Sequence, residues 1–254
     1  MSQVPIRVEN VFKAFGERMV LNDVSLEVRD NEIFGFVGLN GIGKTTLIKI
    51  IIDLLEHDGG GIEIFGVDKI LPEARKEVAY LPEKFHPSSQ LKGMEFLRFV
   101  AGFHNKNFDL NRAVEIAKTL DLDPNALDSR ISRYSKGMTQ KLGLLGTFLS
   151  GAKLIILDEP MSGLDPRARI ALKQELLNYK KAGNSIFFSS HILSDVDEIC
   201  DRIAIINDGK IVFVGKPEEF RAKHSEQSLE KAFLKEIGEK YSVKEGFESA
   251  LKLS

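Results

Sequence analysis

Cysteine is nearly absent from this sequence: Cys200 stands alone among 254 residues. A single thiol excludes an intramolecular disulfide and a cysteine metal centre. Within SDVDEICDRIAII it is expected to be a small buried hydrophobe. Long apolar runs are missing too, and no window approaches the ~20 apolar residues that a membrane-spanning helix needs. The opening MSQVPIRVEN lacks a basic segment followed by an apolar stretch, so no signal peptide is expected. Neither charge sign dominates, with 35 Lys and Arg against 37 Asp and Glu for a net charge of −2. That balance argues against a nucleic-acid partner. Internal repeats and low-complexity segments are not seen. What remains is 43% apolar composition, enough for one large α/β domain or a core with a smaller lobe. A soluble protein facing the cytosol is expected, reaching a membrane only through a partner.

Residues 4 to 36 read as strands, in IRVENVFKAF, VLNDVSLEV and EIFGFVG. A helix is expected from Gly43 through GKTTLIKIIIDLL, stopping before a turn at HDGGG. Strands GIEIFG and EVAYL come next. From about residue 84 to 150 strand patterning vanishes, and GMEFLRFVAGFH, LNRAVEIAKTLDL and SKGMTQKLGLLGTFL read as helices. This predicts a helical lobe inserted into an α/β core. The core resumes as strand KLIILD, helix PRARIALKQELLNYKKAG, strand SIFFSS, helix ILSDVDEICD and the pair RIAIIND and GKIVFVG around Asp208-Gly209. Apolar strands alternating with helices predict a parallel sheet buried on both faces. The expected division is a domain over residues 1–220, with the lobe inserted at about 84–150, and a charged helical tail over 221–254. In that tail Leu229, Ala232, Phe233 and Ile237 share one helical face.

The chemistry begins at GLNGIGKTT, Gly38 to Thr46, between a strand and a helix. Gly38, Asn40, Gly41 and Gly43 let backbone N–H groups turn inward around phosphate oxygens, beside the positive end of the helix dipole. In this pattern Lys44 reaches the β and γ phosphates and the Thr45 hydroxyl holds Mg²⁺, with Thr46 completing the loop. LIILDEP then drives an apolar strand into the sheet and delivers Asp158 and Glu159 at its carboxyl end. Adjacent acids there are costly unless they meet a cation or do chemistry. Asp158 suits Mg²⁺ through water, and Glu159 suits a base that polarises an attacking water.

One stretch resists an ordinary reading. YSKGMTQKLG starts a helix, with Ser135 at the cap position, yet Gly137 inside it costs about 1 kcal/mol relative to alanine. Something must approach that helix end closely. YSKGM followed by LIILDEP, SGLDP and SSH, after the phosphate loop, resembles the ATP-binding subunits of ABC transporters, and the resemblance covers about residues 4 to 220.

The resemblance implies a phosphate-loop NTPase fold with an N-terminal antiparallel β subdomain and an inserted α-helical subdomain. It also implies a head-to-tail homodimer or heterodimer, each ATP lying between one subunit's phosphate loop and the other's YSKGM helix. Ser135 and Gly137 would then contact the γ-phosphate held by the partner. Phe15 matches the aromatic residue that stacks on adenine, Asp165 the residue that crosses the interface, and His191 the histidine that contacts the γ-phosphate. Glu159, His191 and Lys44 are the implied catalytic set; Thr45, Asp158 and Glu83 are the implied metal set. Two positions depart from the pattern: YSKGM replaces the usual LSGGQ, and Glu83 in YLPEKF stands where most members carry Gln.

The implied protein hydrolyses ATP with Mg²⁺ and drives a substrate, outward by its likeness to bacterial exporters, through a separate membrane permease. That permease would dock at the lobe and at Phe85, His86 and Pro87. The alternative is a soluble ATPase of an assembly machinery such as iron–sulfur cluster biogenesis. A kinase with a phosphate loop leaves YSKGM unexplained.

Overall fold

Two sheets divide the strands. In the computed structural model, which describes residues 4–241, β1 (Ile6–Phe15) lies between β2 (Arg18–Val28) and β4 (Gly59–Ile64), with β5 (Val67–Asp68) at the edge. All pairings in this sheet are antiparallel. The second sheet has the order β10 (Lys210–Gly215), β9 (Arg202–Asn207), β3 (Ile33–Val37), β8 (Ser185–Ser190), β7 (Leu154–Asp158), β6 (Val78–Leu81). Every pairing there is parallel except that of β9 with β10, whose turn puts Asp208 and Gly209 in the left-handed region, at φ 47° and 72°.

Alternation along the parallel strands sends side chains to two cores. Phe34, Phe36, Ile156 and Phe187 pack towards the antiparallel sheet and α1 (Lys44–Ile51). Ile33, Val37, Ile155, Leu157, Ile186 and Phe188 join the helices on the opposite face. Those helices are α2 (Gly93–Phe103), α3 (Leu110–Thr119) and α4 (Lys136–Leu149) of the lobe, then α5 (Pro166–Lys181) and α6 (Leu193–Ile199). A sheet covered on both faces is the reason its strands read as nearly unbroken apolar runs.

Two expectations need correction. HDGGG is not a turn, because Gly59 and Gly60 already belong to β4. Gly60 has φ 92°, and a Cβ there would lie 2.3 Å from the Asn10 carbonyl oxygen, so this glycine serves close backbone approach between strands. Helix α1 ends at Ile51 although the apolar run continues to Leu55. Asp53 turns left-handed at φ 61°, and the N–H groups of Leu54 and Leu55 both return to the Lys49 carbonyl.

The tail begins as α7 (Pro217–Lys223) and α8 (Leu229–Tyr241), so residue 220 lies inside a helix. Phe220, Leu229, Ala232, Phe233 and Ile237 are buried in the same core as α6. The rest of the predicted tail, 242–254, lies outside the described residues. Leu229, with no exposure, is expected to cost about 2–5 kcal/mol of stability as Leu229→Ala. Urea unfolding checks this; an unchanged midpoint would mean that α8 contributes nothing to the fold.

Candidate functional site

The order β3, β8, β7 brings three strand ends together. Val37 pairs with Ser190 and Asp158 pairs with Ser189. The loop after β3, His191 after β8 and Glu159 after β7 therefore leave the sheet on one edge, where ligands of parallel sheets bind. A cavity of about 550 Å³ opens there, lined among others by Asn40, Gly43, Lys44, Thr45, Glu159 and His191. Gly41, Thr46, Glu83, Lys84 and Ser162 complete its wall.

Gly43 begins α1 at φ 119°, a conformation that side chains rarely adopt, and a Cβ there would lie 3.0 Å from the Val20 carbonyl. No side chain caps α1, so the N–H groups of its first turn are left for a ligand. Arg18, paired with Phe15 across the β1–β2 hairpin, donates to the Gly41 carbonyl at 3.3 Å and ties the loop to that hairpin.

Lys44 is buried, and its ammonium donates to the carbonyls of Gly38 at 2.7 Å and Leu39 at 3.2 Å. It also lies 3.1 Å from Glu159 Oε1, which has no hydrogen-bond partner, so the contact is an ion pair without hydrogen-bond alignment. The second oxygen, Oε2, meets His191 twice: Nδ1 at 2.8 Å and the backbone N–H at 3.3 Å. Glu159 itself sits at φ 50°, a strained conformation costing roughly 1–3 kcal/mol that turns its carboxylate off the strand path towards these partners.

The Thr45 hydroxyl donates to Asp158 Oδ2 at 2.7 Å. Ser189, which sequence reasoning missed, donates through its hydroxyl to Asp158 Oδ1 at 2.5 Å and accepts from the Glu159 N–H at 3.0 Å. One serine thereby holds both acids. The signal was present, since two serines follow the apolar centre of a buried strand in SIFFSSH. Nearby, burial first and the Asp158 charge second push the Tyr80 phenol up to about 12.

The remaining candidates divide. Glu83 is exposed but shares the cavity wall with Thr45 and Glu159. Phe15 is 51% exposed at the end of β1 and is not among the residues that line this cavity. Ser135 caps α4 as expected, accepting from the Met138 N–H at 3.2 Å. Ser135 and Gly137 do not line the Lys44 cavity; the start of α4 borders a neighbouring one of about 530 Å³ through Tyr134, Lys136 and Thr139. Among the described residues nothing requires glycine at 137, because a Cβ there would meet no atom of them closer than 4.0 Å. Asp165 is the N-cap of α5 in this chain, and the Ala168 N–H holds its carboxyl below the usual carboxylate range. Cys200 is only partly buried, against Gly35, whose added Cβ would come within 2.8 Å of Sγ.

A phosphate loop, an uncapped helix start and paired acids ending a buried parallel strand define a phosphate-loop nucleotide-binding protein. Residues 21–162, more than half of the chain, match the family described as ABC transporter, and the chain belongs to that family, among its ATP-binding proteins. An uncharacterized ABC transporter ATP-binding protein of Nostoc sp. is 40% identical over 206 residues, which are 78% of this chain and 60% of that protein. The chain thus spans about three fifths of that relative's length. The Nod factor export ATP-binding protein I of Burkholderia orbicola is 30% identical, over 85% of this chain and 72% of its own length. A solved structure of the ATP binding subunit of an ABC transporter is 31% identical and covers 91% of this chain and 98% of its own, with a TM-score of 0.84.

Proposed function

We propose that the chain is the ATP-hydrolysing subunit of a transporter, acting as a two-fold pair on a separate membrane permease and energising export. The observation that carries the hydrolytic reading is the junction of buried Lys44 and Glu159 with exposed His191, beside Thr45 and Asp158. Lys44 faces an ion-pair partner without hydrogen-bond alignment, so it can exchange that partner for phosphate oxygens. Thr45 and Asp158 present oxygen donors of the type Mg²⁺ prefers, and would hold it, with Glu83 at the same cavity. When bound, Mg²⁺ supplies charge neutralisation at the phosphate oxygens.

The chain's own residues do the rest. Glu159, oriented through Oε2 by His191, polarises the attacking water and accepts its proton. The water oxygen bonds to the γ-phosphorus as the bridging oxygen leaves with ADP. The first-turn N–H groups of α1 and Lys44 hold the phosphates in line.

The two-chain arrangement rests on the family and on Gly137, whose lack of a side chain answers no need among the described residues. The permease reading is supported by an apolar cavity between β6 and the lobe, where Phe85 meets Phe96 edge to face and Phe99 and Phe103 stand 67% and 74% exposed. Among the described residues no helix is long and apolar enough to cross a membrane, so the translocation path is assigned to the partner. Export follows the name of the Burkholderia relative. Purified protein is expected to release phosphate from ATP only with added Mg²⁺. Equal release in excess chelator would contradict the proposed metal set.

A further inference from the structure

We propose that Asp58 is the positioning residue for the nucleotide base, holding Phe15 and Lys13 as one platform; this rests on the reading of Phe15 as the base-stacking ring. The last pair between β1 and β4 is Phe12 with Gly59. Beyond it, Lys13, Ala14 and Phe15 have no β4 partner. On the β2 side the register slips between Val11 and Lys13, and again between Lys13 and Ala14. An irregular strand end of this kind does not place an aromatic ring by itself.

Asp58 takes over where the ladder stops. Its N–H donates to the Phe12 carbonyl at 2.8 Å. Its Oδ2 accepts from the Ala14 N–H at 2.6 Å, and its Oδ1 accepts from Lys13 Nζ at 2.9 Å. Lys13 comes first among the groups that hold the Asp58 carboxyl below its usual range, and Ala14 second. So fixed, the Lys13 ammonium lies 5.5 Å from the centroid of the Phe15 ring. A cation lies over the ring, and Phe15 is half exposed, which leaves ring surface for a planar base. The ring is placed relative to the phosphate loop as well, since Phe15 pairs with Arg18 and Arg18 reaches the Gly41 carbonyl. Asp58 does not line the Lys44 cavity, so its expected effect is on the base rather than on the phosphates.

The test compares ATP with inorganic tripolyphosphate, which has the phosphates but no base, in direct binding to the full chain. Asp58→Ala is expected to weaken ATP about threefold to tenfold and to leave tripolyphosphate within twofold. Lys13→Met, which keeps the Asp58 to Ala14 hydrogen bond, is expected to weaken ATP by a smaller factor and serves if Asp58→Ala does not fold. Combined with Phe15→Ala, Asp58→Ala is expected to add no further loss, because the platform is already gone. Equal loss of ATP and tripolyphosphate, or unchanged ATP affinity in both single variants, would overturn the proposal. A wild-type chain that binds neither compound would instead overturn the nucleotide reading on which it rests.

Discussion

Glu159→Gln is expected to bind ATP nearly as tightly as the wild type while turning it over roughly 10²- to 10⁴-fold more slowly, the usual worth of a general base. The amide keeps the size of the side chain and an oxygen for His191. It loses the charge that faces Lys44 at 3.1 Å, but the ammonium stays in place for the triphosphate, so binding is kept. The variant is therefore expected to accumulate with ATP bound, as a trapped pair. Turnover within threefold of wild type in a steady-state phosphate assay would remove Glu159 from the role of base.

Lys44→Ala has the second large effect, and its cause lies in what Lys44 touches. The ammonium is buried and its partners are two loop carbonyls and one carboxylate. A charge so placed is pre-positioned for phosphate oxygens, and a charge-assisted hydrogen bond contributes about 1.5–3 kcal/mol. Triphosphate affinity is expected to fall roughly 10- to 150-fold, with turnover lost as well. The substitution also leaves the Glu159 carboxylate buried without its cation, which destabilises the free protein. Direct nucleotide titration reads the affinity; an unchanged ATP affinity would count against the phosphate-loop assignment.

Much of this site was legible in the sequence for physical reasons. A phosphate loop needs glycines between a strand and a helix, and Gly43 at φ 119° shows the backbone need that such glycines serve. Two acids that end an apolar strand announce themselves, since burial without function is costly. The fold was legible in the alternation of buried strands with amphipathic helices, down to the Asp208-Gly209 turn. Where composition imitates another structure, the reading failed. Three consecutive glycines look like a turn, yet they pair as a strand, and Gly60 is glycine because a neighbouring carbonyl leaves no room for a Cβ. The stop of α1 inside an apolar run depends on one left-handed residue, Asp53, which periodicity does not register. Hydrogen bonds across the sheet are likewise invisible in one dimension. Ser189 lies 31 residues from Asp158, and only the pairing of β7 with β8 brings it to both acids.

If YSKGM completes a nucleotide site on a second copy of the chain, two inactive variants are expected to restore each other when mixed. Lys44→Ala disables the phosphate loop, and Ser135→Arg puts a bulky side chain at the exposed start of α4. If each site takes Lys44 from one copy and Ser135 from the other, a mixed pair has one site with both lesions and one intact site. Random mixing makes half of all pairs mixed, so ATP turnover is expected to return to roughly a quarter of wild type for independent sites in a two-fold pair. Mixtures as inactive as their parents, with subunit exchange demonstrated and mixed pairs trapped on ATP, would contradict the shared site.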